Sequence, residues 1–116
     1  MEIFENHAHY DDAHFDNDRD TLIKEVYDSG VKKIVSAGYS LEGTLRNIEL
    51  AKRYHFIYTT CGISPNDLNE NWEDDINKID NIIKNNLSLA KILAVGEIGL
   101  DYHYDTERNI QKKAFI

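Results

Sequence analysis

Four short apolar runs alternate with four segments of helical period, and this alternation constrains the fold more than any other feature. The runs are Glu2–Asn6, Lys33–Ala37, Phe56–Cys61 and Ile92–Gly96, rich in Ile, Val, Phe, Tyr and Thr. Some are continuous rather than alternating, as in strands buried on both faces of a parallel sheet. The segments between them predict helices. Over Asp18–Ser29, Leu22, Ile23, Val26 and Tyr27 share one face, and Gly30 follows as a stop. Over Leu41–Tyr54, Ser40 is the candidate N-cap and Leu41, Leu45, Ile48 and Ala51 form the stripe. Over Trp72–Asn86, Ile76, Ile79, Ile82 and Ile83 point inward, and Asp74 and Asp75 stand in the first turn, where acids suit the helix dipole. A fourth helix is expected from near Thr106 to the last residue. The order β-α-β-α-β-α-β-α predicts an α/β fold, a parallel sheet with right-handed crossovers. Each unit takes about 30 residues, close to one eighth of a TIM (β/α)8 barrel of about 250 residues. Residues 1–116 are therefore expected to form one domain of four β-α units. No glycine or proline follows Phe115 and Ile116. Two readings stay open: a complete four-unit open sheet, or the front half of an interrupted barrel.

Charge narrows the function classes. Thirteen basic against 21 acidic residues leave a net charge of −8, which argues against a broad basic groove for nucleic acid. The single cysteine, Cys61, excludes an internal disulfide and a cysteine-based zinc motif. Residues Met1–Asn6 lack a basic segment followed by an apolar one, and no run of about 18 apolar residues occurs. The expectation is a cytoplasmic chain with no membrane partner.

In parallel α/β folds, functional groups collect at the C-terminal ends of strands. After the first strand stands His7-Ala8-His9-Tyr10-Asp11. Residues two apart in an extended segment point the same way, so His7, His9 and Asp11 can converge. Two neutral imidazoles so placed make half of a divalent-metal site; two histidines in a solvated loop are the alternative. After the fourth strand, Glu97 stands between Gly96 and Ile98-Gly99. Among these apolar neighbours Glu97 is expected to be nearly buried, and a buried carboxylate needs a cation or several donors. A metal ion meets that need, as does a nearby Lys or Arg. After the third strand, Gly62 and Pro65 mark a turn in which Ser64 and Asn66 can either bind a substrate phosphate or serve the turn itself. Cys61 reads as a small core residue. Neither GxxxxGK[ST] nor GxGxxG occurs, so a nucleotide-phosphate loop is not expected.

Taken together, these stretches resemble a known family. His7-Ala8-His9-Tyr10-Asp11-Asp12 with Phe15-Asp16-Asn17-Asp18-Arg19-Asp20 resembles the opening of the TatD family of metal-dependent deoxyribonucleases. Gly62-Ile63-Ser64-Pro65 and Gly96-Glu97-Ile98-Gly99-Leu100-Asp101-Tyr102 match its next two signatures in order and spacing. The resemblance covers essentially the whole chain and the first half of the family's domain. It implies a TIM-barrel hydrolase of the amidohydrolase-like group in which two divalent ions (Mg, Mn or Zn) cleave phosphodiester bonds, with DNA as the substrate. His7 and His9 would be ligands of one ion, and Glu97 would bridge both ions and be catalytic. The family's remaining ligands, two histidines and an aspartate, have no counterpart in the chain. The family usually has His where Ser64 stands, and often again at Asn66, so substrate binding by Ser64 and Asn66 has no support from the motif. Activity would then need a second chain supplying the missing strands, or a homodimer. Two other functions stay in view: a non-catalytic half-barrel module that binds a partner, and a related hydrolase acting on C–N or C–O bonds.

Overall fold

The computed structural model describes residues 1–116. Strands β1 (Ile3–Ala8), β2 (Val31–Ala37), β3 (Ile57–Cys61) and β4 (Ile92–Val95) lie side by side in chain order, all parallel. Helices α1 (Arg19–Asp28), α2 (Leu41–Arg53) and α3 (Trp72–Asn85) connect them, and α4 (Arg108–Phe115) follows β4. Right-handed crossovers between neighbouring parallel strands put the helices on one face. Burial along β3 agrees: Ile57, Thr59 and Cys61 are buried, whereas Tyr58 and Thr60 are half-buried on the opposite face. The sheet is thus covered on one side and open on the other, as in half of a TIM barrel.

Two apolar clusters hold the helices to the sheet. Ile23, Ile34, Leu50, Phe56 and Ile57 join α1 and α2 to β2 and β3, with Val26 and Tyr27 packed against them. Ile48, Cys61, Ile63, Leu68 and Ile79 join α2, α3 and β3, with Ile76, Ile82 and Ile83 alongside. The α1 and α3 stripes read from the sequence therefore face the core. Gly30, just beyond α1, has φ of +120°, which favours a residue without Cβ. Ser40 caps α2 by accepting from the Gly43 N–H at 3.0 Å. At the other end of α2, the Lys91 ammonium donates to the carbonyls of Ala51 and Tyr54, each at 2.6 Å.

Three expectations need correction. Strand β1 continues past Asn6 to Ala8, because Ala8 still pairs with Ser36 of β2 although the apolar run has ended. His7 therefore lies within the strand. Leu45 points to solvent, 48% exposed, and Thr44, Asn47 and Leu50 join Ile48 and Ala51 on the buried face of α2. The first turns of α2 pack on polar backbone, where the Thr44 hydroxyl donates to the Gly62 carbonyl, so polar residues occupy that face. Helix α4 begins at Arg108, two residues after Thr106, because the Glu107 carboxylate caps it, accepting from the N–H groups of Asn109 and Ile110. No helix is long and apolar enough to cross a membrane.

Candidate metal centre

Glycines build the track that brings the ends of the sheet together. Strands β1 and β4 are the outer strands, yet His7 and Glu97 meet. After β4 the chain crosses over the ends of its neighbours. The Gly96 N–H donates to the Cys61 carbonyl at 2.9 Å, and the Glu97 N–H donates to the Gly38 carbonyl at 2.6 Å. A Cβ on Gly62 would lie 2.5 Å from the Gly96 carbonyl carbon, and one on Gly38 would lie 2.8 Å from the Thr60 carbonyl oxygen. A side chain at Gly62 would lift the crossing segment away, and one at Gly38 would press on β3 and Thr44 beneath it.

The crossing delivers Glu97 to the histidines. Nε2 of His7 lies 3.2 Å from Nε2 of His9 and 3.7 Å from Oε1 of Glu97. One ligand atom from each of the three residues falls within 4.8 Å of the others. His9 Nδ1 is 2.9 Å from the Ala37 carbonyl, which can only accept. That assigns the proton of neutral His9 to Nδ1 and leaves the Nε2 lone pair facing the cluster. Two nitrogens each about 2.05 Å from a tetrahedral ion stand about 3.3 Å apart, so the two imidazoles already have chelating separation. The chemistry and spacing of these donors fit a divalent ion. Glu97 is not nearly buried as expected: its side chain is 36% exposed, because the glycines beside it add no cover and it opens onto the bare face of the sheet.

Asp11 does not join this cluster. It turns away beneath the loop and is 1% exposed, its Oδ2 pressed against Gly43 in the first turn of α2. The buried Asn47 amide is the nearest side-chain donor to this carboxylate, but no hydrogen bond of ordinary geometry joins them. Loss of hydration raises the Asp11 carboxyl to about 6. Its neighbour Asp12 behaves oppositely. The His14 N–H and then the Tyr39 hydroxyl donate to it, holding its carboxyl below the ordinary range. Tyr39 stands edge-on to the His9 ring, with centroids 5.2 Å apart. Its phenol is raised to about 12, first by burial and then by Asp12.

Ser64 and Asn66 serve local structure. The Ser64 hydroxyl accepts from the Asn66 N–H and caps a 3-10 turn at Pro65–Asp67. The Asn66 amide donates to Asp101 at 3.2 Å, tying the loop after β3 to the loop after β4. Neither side chain contacts His7, His9 or Glu97. Cys61 is fully buried and its thiol is raised to about 11 by burial, which suits a core residue. Tyr39, Arg19 and Arg46 surround the histidine loop, and nothing in the sequence alone marks them as site residues. The sequence offers only an aromatic at the end of a predicted strand and one cation amid Asp16, Asp18 and Asp20.

Comparison with known proteins adds relatives to this geometry. A family model described as TatD related DNase matches residues 4–116. An uncharacterized metal-dependent hydrolase of Methanocaldococcus jannaschii is 40% identical over 110 residues, 92% of this chain and 42% of its own length. A protein of Cronobacter sakazakii named 3'-5' ssDNA/RNA exonuclease TatD is 31% identical over 91 residues, 78% of this chain and 33% of its own length. The crystal structure of YjjV, a TatD homologue of Escherichia coli, superposes with a TM-score of 0.80 at 25% identity, covering 97% of this chain and 43% of that one. The chain spans less than half the length of these relatives.

Proposed function

The chain belongs to the TatD-related DNase family, and on that premise we propose that it supplies His7, His9 and Glu97 to the divalent-metal site of a hydrolase cleaving phosphodiester bonds at nucleic-acid ends. One observation carries the assignment: the Ala37 carbonyl fixes the His9 proton on Nδ1, leaving the His7 and His9 Nε2 atoms at chelating distance beside the Glu97 carboxylate. The choice of nucleic acid over other esters follows the name of the Cronobacter relative, an exonuclease on single-stranded DNA and RNA.

A divalent ion held there would supply positive charge against phosphoryl oxygens and lower the pKa of a bound water. The residues of the chain do the holding. His7 and His9 offer neutral nitrogens. Glu97 brings the negative charge, and its second oxygen can reach another ion. The cluster stands at the C-terminal ends of the strands, where substrates of parallel α/β folds approach. A net charge of −8 is compatible with a polyanionic substrate when the positive charge at the site comes from metal.

Calorimetric titration with Zn²⁺ or Mn²⁺ tests the assignment. The wild-type chain is expected to bind, and a His7→Ala/His9→Ala double variant is expected to lose binding. Equal binding by both would show that these histidines are not ligands. The 116-residue chain, which carries three of the proposed ligands, is expected to leave an end-labelled single-stranded oligonucleotide largely intact. Whatever cleavage it shows should vanish in Glu97→Gln; cleavage that survives would place the chemistry elsewhere.

A further inference from the structure

Beyond Ala8 the chain leaves the ladder of β1; the Asp12 carbonyl accepts from the Phe15 N–H at 3.0 Å, whereas the carbonyls of Tyr10 and Asp11 have no backbone donor. Backbone carbonyls in half-buried surroundings need donors. Two arginines provide them. Arg19 of α1 donates from Nε to the Tyr10 carbonyl at 2.5 Å and from Nη2 to the Asp12 carbonyl at 2.8 Å. Arg46 of α2 donates from Nη1 to the Asp11 carbonyl. Three consecutive carbonyls are thus gripped by two guanidinium groups from different helices. Asp16 holds the Arg19 fork in place at 2.6 Å, and that side chain is 14% exposed.

We infer that Arg19 and Arg46 are positioning residues for His9, clamping the loop that starts at that residue; this rests on the assignment of His9 as a ligand. The clamped loop opposes a force in the other direction. Asp11 is buried against Gly43 with both oxygens unpartnered, and such a group gains hydration by leaving. Freed carbonyls would let the loop swing outward with Asp11. His9, the first residue of that loop, would be drawn off the Ala37 carbonyl, and Tyr39 beside its ring would lose the Asp12 carboxylate that holds its hydroxyl. A lysine replaces Arg19 incompletely. Its ammonium lacks the planar fork that serves the Tyr10 and Asp12 carbonyls and the Asp16 carboxylate from fixed positions, so a lysine keeps part of the grip only.

The test uses the whole chain with Zn²⁺ as the probe, and compares Arg19→Met, Arg19→Lys and Arg46→Met with Val26→Ala. Val26 packs against the core from α1 and reports destabilisation alone. Calorimetry measures zinc affinity, nitrogen NMR of the metal-free protein measures the His9 tautomer, and thermal unfolding measures stability. Arg19→Met and Arg46→Met are expected to lose about 10–100-fold in zinc affinity, the usual effect of removing a group that orients a ligand. Their His9 should change from one Nδ1–H tautomer to an exchanging mixture. Arg19→Lys should fall between, and Val26→Ala should lower Tm while leaving affinity and tautomer unchanged. Should Arg19→Met fail to fold, Arg19→Lys and Arg46→Met carry the comparison. Arginine variants that lose Tm but keep wild-type affinity and tautomer would overturn the clamp. A wild-type chain that binds no zinc, yet whose His9 tautomer still depends on both arginines, would overturn the metal assignment and leave the clamp standing.

Discussion

Gly62 shows how closely the site depends on single atoms. A Cβ there would meet the Gly96 carbonyl carbon at 2.5 Å and the Glu97 carbonyl oxygen at 2.6 Å. The crossing segment is bonded to Cys61 and Gly38 and has little room to retreat. Gly62→Ala is expected to cost about 1–3 kcal/mol, as overpacking does, and to weaken zinc binding by displacing Glu97. Urea unfolding and a zinc titration check both; wild-type values in the variant would mean that the approach is slack. Cys61, the residue before it, carries a pH dependence. Its folded thiol is raised to about 11 from an unperturbed 9.0. Above pH 9 the unfolded chain therefore loses this proton first, and the folded chain keeps it until about 11. Stability then falls as pH rises across that window. Tyr10, Tyr39 and Tyr54 are raised as well, so the Cys61 share is the part of the alkaline loss that Cys61→Val removes. An identical alkaline decline in the variant would contradict the assignment. His7, His9 and Glu97 were legible in the sequence because their side-chain chemistry is itself the signal. Arg19 and Arg46 were not, because they bind backbone carbonyls, and a carbonyl leaves no mark in a sequence.

At the level of elements, α2 was legible at its beginning and at Leu41, Ile48 and Ala51 of its face, but not at Thr44, Leu45 and Asn47. Ser40 declares the start through a capping rule that is local. Which residues are buried depends on what lies opposite, and the first turns meet Asp11 and the Gly62 carbonyl rather than apolar side chains. So Leu45 faces water and Asn47 does not. The end of α2 depends on a residue about 40 positions away. Lys91, just before β4, reaches the carbonyls of Ala51 and Tyr54, two of the terminal acceptors that a helix cannot satisfy itself. Partial burial lowers its pKa, yet the ammonium still joins the C-terminus of α2 to the strand that leads to Glu97. Lys91→Met is expected to destabilise the chain by about 1–3 kcal/mol, the range for hydrogen bonds to a charged group. The measurement is the urea midpoint at unchanged slope. An unshifted midpoint would show that water serves those carbonyls equally well.

Across the whole molecule, parallel strands with right-handed crossovers follow from alternation, which is why the α/β architecture could be read before any contact was known, whereas the order β1-β2-β3-β4 came from the structure. The consequences of that architecture lie at its two edges. Strands β1 and β4 each have an unpaired side, and backbone donors and acceptors left there are templates for another strand. The β4 edge is the more exposed to pairing. Ile92–Gly96 carries no charge, and Leu93, Val95 and Ile98 are each more than half exposed. Phe115, 53% exposed, lines one apolar pocket together with Val95 and Ile98. Natural edges are commonly protected by a lysine, a proline or a bulge; Ile92–Gly96 has no lysine or proline, and its one such feature is the register shift at Leu93. We therefore expect the chain to self-associate through β4, as a homodimer or larger species, with a weight-average mass above 13.4 kDa at high micromolar concentration. Leu93→Lys places a charge on that strand and should return the population toward the monomer without changing the fold. Sedimentation velocity over a wide concentration range decides it. A single 13.4 kDa species for the wild type at the highest concentration would mean that neither the bare edge nor its apolar surface recruits a second copy.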